Sequence, residues 1–384
     1  QQNHRKEFDM RRAVADNIPM SDMVLTTQQL EVMLKAKSHS FGIDLGNQVN
    51  NNTAGTGTTP IIPNFDNYSL GIFGIHQIQF DQWLLEAGWR YDYRYFDAAG
   101  YRYKYTDKEQ SVPQQYLLED TRSFHNFSGS IAAAYNINPT WQYKSSIGLA
   151  WRAPTANELY SDGVHHGAGI YEIGNLDLKA EQGLKWVHSI SHKSETLALT
   201  ADIFGQYIHN YIYAAPNPDS VRQTIRGTFP VFSYGQDKAL FYGADLQLQW
   251  KFMPNLQYTL QASLVRAKNI STDTYLPYIP SDRMQNAIQW YYAGSEKGYI
   301  KLSHEFVAKQ NRYTAGTDYV APPPAYHLFH AYITHPLTIN KQQLQLSLAV
   351  ENIFNTSYKD YMDRFRYYAH RLGRNFILSL NYKF

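Results

Sequence analysis

The chain has 384 residues, 43% hydrophobic and 18% charged, with 35 Lys+Arg against 33 Asp+Glu for a net charge of +2. That balance excludes a polyanion binder, which needs a basic footprint, and a largely disordered chain. The absence of cysteine excludes disulfides, Cys-ligated zinc, Fe–S clusters and a thiol nucleophile.

Aromatic residues make up 15% of the chain, and tyrosine carries the excess, with 32 Tyr against 19 Phe and 7 Trp. No run of about 18 apolar residues exists, so a transmembrane helix is not expected. Mean hydropathy is −0.49, a value a β-barrel also gives, because its lipid-facing and lumen-facing residues average out. The opening Gln1-Gln2-Asn3-His4 has no charged stretch leading into an apolar run. A removed leader or a piece of a longer chain is therefore expected.

In chain order, the pattern has period two. His4 to Met10 is strand-like. Trp83, Leu85, Ala87, Trp89, Tyr91 and Tyr93 alternate with Glu86, Gly88, Arg90, Asp92 and Arg94. Tyr242, Ala244, Leu246, Leu248 and Trp250 alternate with Gly243, Asp245, Gln247 and Gln249. From Leu256 to Leu264 every even position is apolar, and Leu344, Leu346, Leu348 and Val350 repeat the pattern. Such alternation specifies strands with one apolar face. The opposite face carries carboxylates, arginines and glutamines, which suit a wet interior rather than a dry core.

Short connections fall at Asp81-Gln82, Asn138-Pro139-Thr140, Ser194-Glu195, Met253-Pro254-Asn255, Gly294 to Gly298 and Ile339 to Lys341. Long ones lie between them, at 96–122, 153–183, 211–239, 268–283, 313–326 and 356–371. Short periplasmic turns and long extracellular loops are the asymmetry of an outer-membrane barrel. About sixteen strands of about ten residues are expected, each the length of a tilted membrane crossing. The final strand places Phe376, Leu378, Leu380, Tyr382 and the terminal Phe384 on one face, as such barrels commonly end. Tyr91, Tyr93, Tyr95, Tyr211, Tyr213, Trp290, Tyr292 and Tyr382 are expected in interfacial girdles. Tyr101, Tyr103 and Tyr105 are expected in a loop.

The segment Trp151-Arg152-Ala153-Pro154-Thr155-Ala156-Asn157-Glu158-Leu159-Tyr160 resembles the RAP…ELY signature of TonB-dependent outer-membrane receptors. Tyr171-Glu172-Ile173-Gly174-Asn175-Leu176-Asp177-Leu178-Lys179-Ala180-Glu181 is similar to that family's GNPxLKPE segment, with Leu176 and Ala180 in place of its prolines. Val350-Glu351-Asn352-Ile353-Phe354-Asn355 through Gly373-Arg374-Asn375-Phe376 resembles its closing motif. The resemblance covers residues 70 to 384. It implies an all-β, transmembrane antiparallel β-barrel of an expected 22 strands, with an N-terminal plug. About sixteen strands and no plug are present, so residues 1–384 are expected to be the C-terminal part of the receptor barrel. Such a portion would leave two unpaired strand edges.

The resemblance implies an outer-membrane protein of a Gram-negative bacterium. It would actively take up a scarce solute, with a metal or metal chelate (ferric siderophore, haem or zinc) foremost. Expected partners are the TonB-ExbB-ExbD system through the missing plug, outer-membrane lipid and lipopolysaccharide, and the barrel assembly machinery. No nucleic acid is expected, and the barrel is expected to be a monomer. No intrinsic cofactor is expected, and a metal or haem enters only as cargo. The alternatives are a passive sixteen-strand porin and TonB-dependent uptake of a non-metal ligand. No spacing assembles a catalytic set, so an enzyme is not expected.

The candidate ligand residues are His165 and His166, between glycines on the loop after the RAP segment. Imidazole suits zinc, copper, iron and haem iron. The resemblance also points to a His at this place in haem receptors. Adjacent residues of an extended chain point to opposite faces, so one of the two is expected to face the ligand. Tyr160, Tyr171 and Glu172 flank the loop as candidate oxygen ligands. Arg152, Ala153, Pro154, Glu158, Leu159, Tyr160, Gly174 and Asn175 carry the family motif, and Arg152 is expected to pair with Glu158 or a plug carboxylate. Asp360, Asp363, Arg364, Arg366, His370 and Arg371 are expected in a solvated charged loop. No site is assigned to the remaining histidines.

Overall fold

In a computed structural model of the chain, residues 1–8, 18–53, 56, 58–99, 102–105, 111–114, 119–224, 227–292, 298–339 and 342–382 are described. The wall opens with β1 (Gln2–Glu7), β2 (Ser21–Ala36), β3 (His39–Asn52), β4 (Phe65–Phe80) and β5 (Trp83–Ala98). A separate hairpin of β6 (Arg102–Tyr105) and β7 (Ser111–Gln114) follows. The wall resumes with β8 (Asp120–Asn136) and β9 (Trp141–Arg152). Next come the short helix α1 (Ala156–Tyr160) and the hairpin β10 (Asp162–His165) and β11 (Ile170–Ile173). Then follow β12 (Glu181–Lys193), β13 (Leu197–Thr224), β14 (Gly227–Met253), β15 (Leu256–Asn269), β16 (Thr274–Tyr275), β17 (Arg283–Tyr291) and β18 (Tyr299–Val307). The chain closes with β19 (Tyr326–Ile339), β20 (Gln342–Glu351) and β21 (Asn375–Tyr382).

One sheet holds nineteen of these strands. β10, β11 and β16 are loop elements within it, and the other sixteen form a continuous antiparallel wall in chain order. The expected strand number is therefore what the fold contains. Among the described residues no pairing joins β1 to β21.

The alternation read from the sequence is the alternation of the two faces. Leu30, Val32 and Leu34 on β2 face the same side as Phe41, Ile43 and Leu45 on β3, by direct register, and all six are exposed. The exposed apolar face continues through Ile131 on β8, Ile203 on β13, Leu302 on β18 and Phe376, Leu378 and Leu380 on β21. The opposite face is polar. There Arg90 bridges Asp44 at 3.0 Å and Asp92 at 2.7 Å, and Arg94 donates to Asn67 at 2.7 Å. An exposed apolar face of this extent needs lipid against it. Among the described residues no helix is long and apolar enough to cross a membrane.

The true core lies at one end. Phe65, Phe96, Ala98, Ala156, Leu159, Tyr160, Leu178 and Ile212 form one buried cluster where strand ends meet the 153–180 connection. Two smaller clusters lie below other long connections, around Ala239, Ala267 and Leu276, and around Val307, Tyr326 and Leu328. The short turns at the other end hold no such cluster among the described residues.

Two expectations need correction here. The 211–239 connection is not a loop, because β13 and β14 run on beyond the wall as a ribbon paired to Thr224 and Gly227, with bulges after Ile208 and Pro216. Those bulges re-aim Tyr211 and Tyr213. They pack against the Ala239 and Leu276 cluster rather than standing in an interfacial girdle. Tyr91, Trp290 and Tyr382 do stand exposed on the apolar face. Phe384, Tyr101 and the side chains of Tyr103 and Tyr105 lie outside the described residues.

Candidate functional site

The 153–180 connection is built as a clamp. Thr155 caps α1, and the Glu158 carboxylate accepts from the Thr155 backbone N–H at 2.7 Å and its hydroxyl at 2.9 Å. This reciprocal cap explains why a five-residue helix forms at all. Arg152 donates to the same carboxylate at 2.7 Å and to Glu181 at 2.9 Å, closing the two ends of the connection on each other. The Arg152–Glu158 pairing is thus made inside the chain. Ala153, Pro154, Leu159 and Tyr160 are buried beneath it.

The second half of the motif locks onto the first. The Gly174 N–H donates to the Ser161 carbonyl at 2.6 Å, and the Asn175 N–H to that of Glu158 at 2.8 Å. Asn175 also accepts from the Asp177 N–H at 2.9 Å and donates to the Tyr234 carbonyl at 3.3 Å. Tyr160 donates to Asp120 at 2.7 Å. Burial, then that hydrogen bond, holds its phenol above the usual range. The motif residues are therefore the frame of the site, and Tyr160 is buried in the cluster beneath it.

The clamp presents the β10–β11 hairpin. Beside it lies a cavity of about 240 Å³, lined by Arg5, Glu7, Asp162, His165, His166 and Tyr171 among others. Both histidines line it. β10 ends at His165 and His166 begins a turn, so the alternation of an extended strand no longer separates them.

His165 is held from below. Its Nδ1 lies 2.9 Å from Glu172 Oε1, and the Glu172 carboxylate is buried. Arg364 donates to the same oxygen at 3.3 Å from the distant 352–374 connection. With Nδ1 engaged by a carboxylate, Nε2 is the nitrogen of His165 left to bind something else. His166 Nε2 lies 3.9 Å from Glu7 of β1. Tyr171 donates to Asp162 at 2.6 Å, and the Arg222 guanidinium stands 4.8 Å over its ring. Among the described residues no group of three metal-ligating side chains converges here.

The 352–374 connection departs from the solvated loop expected. Arg366 is 1% exposed. It is paired to Asp318 and boxed by the rings of Tyr361, Tyr367 and Tyr278 at 4.8, 5.0 and 5.7 Å. Arg364 lies 5.1 Å from the Phe232 ring, and Tyr368 donates to the Gly169 carbonyl at 2.6 Å. Four long connections are thus stitched into one cap over the polar face. Glu7, Arg364 and Asp318 are site and cap residues that no motif marks, since each acts across a large sequence separation.

Sixteen antiparallel strands, an apolar belt, and long connections gathered at one end over a polar wall define a bacterial outer-membrane β-barrel. The family profile described as TonB dependent receptor-like, beta-barrel, matches residues 8–353, and the chain belongs to that family. The match begins well before residue 70, where the sequence resemblance was first placed.

The iron-regulated outer membrane virulence protein of Vibrio cholerae is 22% identical over 277 residues, covering 67% of this chain and 41% of that protein. Among solved structures, the copper transporter OprC superposes with a TM-score of 0.75 at 17% identity, covering 96% of this chain and 58% of that one. The FrpB iron transporter of Neisseria meningitidis superposes at 0.70 and 17% identity, covering 100% and 59%. The Serratia marcescens hemophore receptor HasR, solved as a double mutant with its hemophore HasA and heme, superposes at 0.61 and 17% identity, covering 95% and 59%. The chain therefore spans less than two thirds of each relative. By their names the three solved structures are two transporters and a receptor, and the Vibrio relative is an iron-regulated outer membrane protein.

Proposed function

We propose that this chain supplies the wall and ligand-gripping loops of a receptor that takes up a metal chelate. The carrying observation is the Glu172–His165 pair. A buried carboxylate holds Nδ1 and leaves Nε2 as a preset donor beside an open cavity. One fixed imidazole without two further ligating side chains suits a metal already held by a chelator, with one position open, better than a bare ion. A haem or a ferric complex with a labile position fits that description. Asp162 and His166 line the same cavity and suit the chelate's polar edge. The relatives named for iron, copper and heme support the cargo class.

Energy for release comes, on this reading, from the TonB system acting through a plug that fills the polar lumen. The barrel performs no covalent chemistry. Each barrel residue named here binds, orients or frames.

Titration of the purified protein in detergent with haemin, followed by its absorbance, tests the reading. Parallel titrations use a ferric siderophore, Zn²⁺ and Cu²⁺. His165→Ala is expected to weaken binding of the preferred chelate at least tenfold, and Glu172→Gln by about tenfold, the usual cost of losing an orienting partner. Unchanged affinity of His165→Ala for all four probes would sink the proposal.

A further inference from the structure

Lysine and arginine are rare on the outer face of the wall. Apart from Lys6 on β1, strand alternation turns the described Lys and Arg side chains of the wall strands to the lumen, with one local exception. Lys238 on β14 and Arg266 and Lys268 on β15 share the outer face with the exposed Leu240, Tyr242 and Leu264. Register pairs Tyr242 with Arg266 and Leu240 with Lys268, and the Ile270 N–H donates to the Lys238 carbonyl at 2.9 Å. The patch stands at the long-connection end, where β15 stops at Asn269.

Its own carboxylates do not neutralise it. Arg266 donates to both oxygens of Asp282, at 2.5 and 3.0 Å, and Arg312 donates to the same carboxylate at 3.0 Å, so one negative charge answers two guanidiniums. Lys268 reaches Asp273 at 2.5 Å, and the Asp273 side chain is 85% exposed. An ion pair so open to water is weak and readily exchanged. Lys238 is exposed and makes no ion pair among the described residues.

We propose that Lys238, Arg266 and Lys268 bind a phosphate group of a lipid in the outer leaflet of the membrane. Residues two apart along β15, and those diagonal to them on β14, lie about 7–8 Å from each other. Long cationic side chains at that spacing converge on one phosphate, whose several oxygens accept charge-assisted hydrogen bonds from all of them. Continuity with the apolar face selects a lipid over a free ion. Tyr242 and Leu264 carry that face on from the cations toward the middle of the wall and suit acyl chains. A cation is costly against hydrocarbon at mid-membrane and tolerated at the interface, where headgroup phosphate meets it. The patch shares no residue with the cargo cavity, so it stands or falls apart from the uptake reading.

The test uses native mass spectrometry of the purified protein in non-ionic detergent, with diphosphoryl lipid A as probe. One tightly held lipid per chain is expected. Lys238→Gln/Lys268→Gln should lower affinity at least about tenfold, given the usual contribution of a lysine at a charged lipid surface. Lys301→Gln, which removes a charge from the lumen face, should leave it unchanged. The dephosphorylated lipid should bind far more weakly, and inorganic phosphate in large excess should not displace the lipid. Heat-modifiable gel mobility checks that every variant retains its barrel. Parent affinity in the double variant, an equal loss in Lys301→Gln, equal binding of the dephosphorylated lipid, or displacement by inorganic phosphate would each overturn the proposal.

Discussion

A Cβ placed on Gly174 would lie 2.6 Å from the backbone carbon and oxygen of Leu159 and 2.7 Å from the Ser161 nitrogen. Backbone cannot swing aside as a side-chain tip can, so no residue larger than glycine fits between α1 and the strand that follows it. Gly174→Ala is expected to destabilise the clamp by about 1–3 kcal/mol, the usual cost of overpacking. Protease cleavage within 153–180 should quicken, while the wall retains its heat-modifiable mobility. A variant cleaved at the parent rate would show that the clamp tolerates separation. The frame was legible in the sequence because its residues are close neighbours, with Arg152 six residues from Glu158. The site it presents was only half legible. His165 and His166 stand out as adjacent imidazoles, but the Glu172–Arg364 contact spans 192 residues. No local pattern encodes it.

At the scale of the element, the long connections act together. Arg366, Tyr367 and Tyr361 from 352–374, Asp318 from 308–325 and Tyr278 from 270–282 share one box. Tyr367 donates to Asp318 at 2.6 Å, and the Tyr278 and Tyr367 hydroxyls bond each other. Sequence reading placed the 352–374 arginines in solvent, as a run of charge usually is. What it could not see was a carboxylate 48 residues away, which makes burial of Arg366 affordable. Removing that guanidinium leaves Asp318 without its pair. Arg366→Ala should cost about 3–5 kcal/mol locally, and limited proteolysis should cut 308–325 and 352–374 faster than in the parent.

The box also sets a pH limit. Burial pushes the Tyr278 phenol up to about 12, with Asp318 adding to the rise. A phenol raised in the folded state stabilises fully below its unfolded value of about 10. That contribution is lost as pH rises from about 10 to about 12. The cap should therefore hold across neutral pH and loosen only in that alkaline window. Phenolate absorbance should show Tyr278 ionising after the bulk tyrosines, in a late step shared with other raised phenols such as Tyr213, and a Tyr278→Phe variant should show a smaller late step. Loosening near pH 8 would contradict the assignment.

At the scale of the whole molecule, the tyrosine-rich, weakly charged composition resolves into two surfaces one residue apart. Lys301 faces the polar lumen, 5.6 Å over the Tyr332 ring, while its neighbour Leu302 is 59% exposed on the apolar side. The wall was legible because side-chain direction in a strand has period two, so lipid and water write themselves into alternate letters. The ribbon of β13 and β14 beyond the wall was not legible. Its bulges break that period, and its residues answer to neighbouring loops instead. The same logic fixes a sharp test of orientation. Leu302→Lys puts a charge against hydrocarbon and should cost about 2–4 kcal/mol near mid-membrane, less toward a rim. Lys301→Gln, one residue along, removes a charge from a wet face and should stay within about 0.5 kcal/mol. Denaturant unfolding in lipid vesicles measures both. If the two substitutions cost the same, the apolar face is not the lipid face, and the barrel reading of all sixteen strands fails with it.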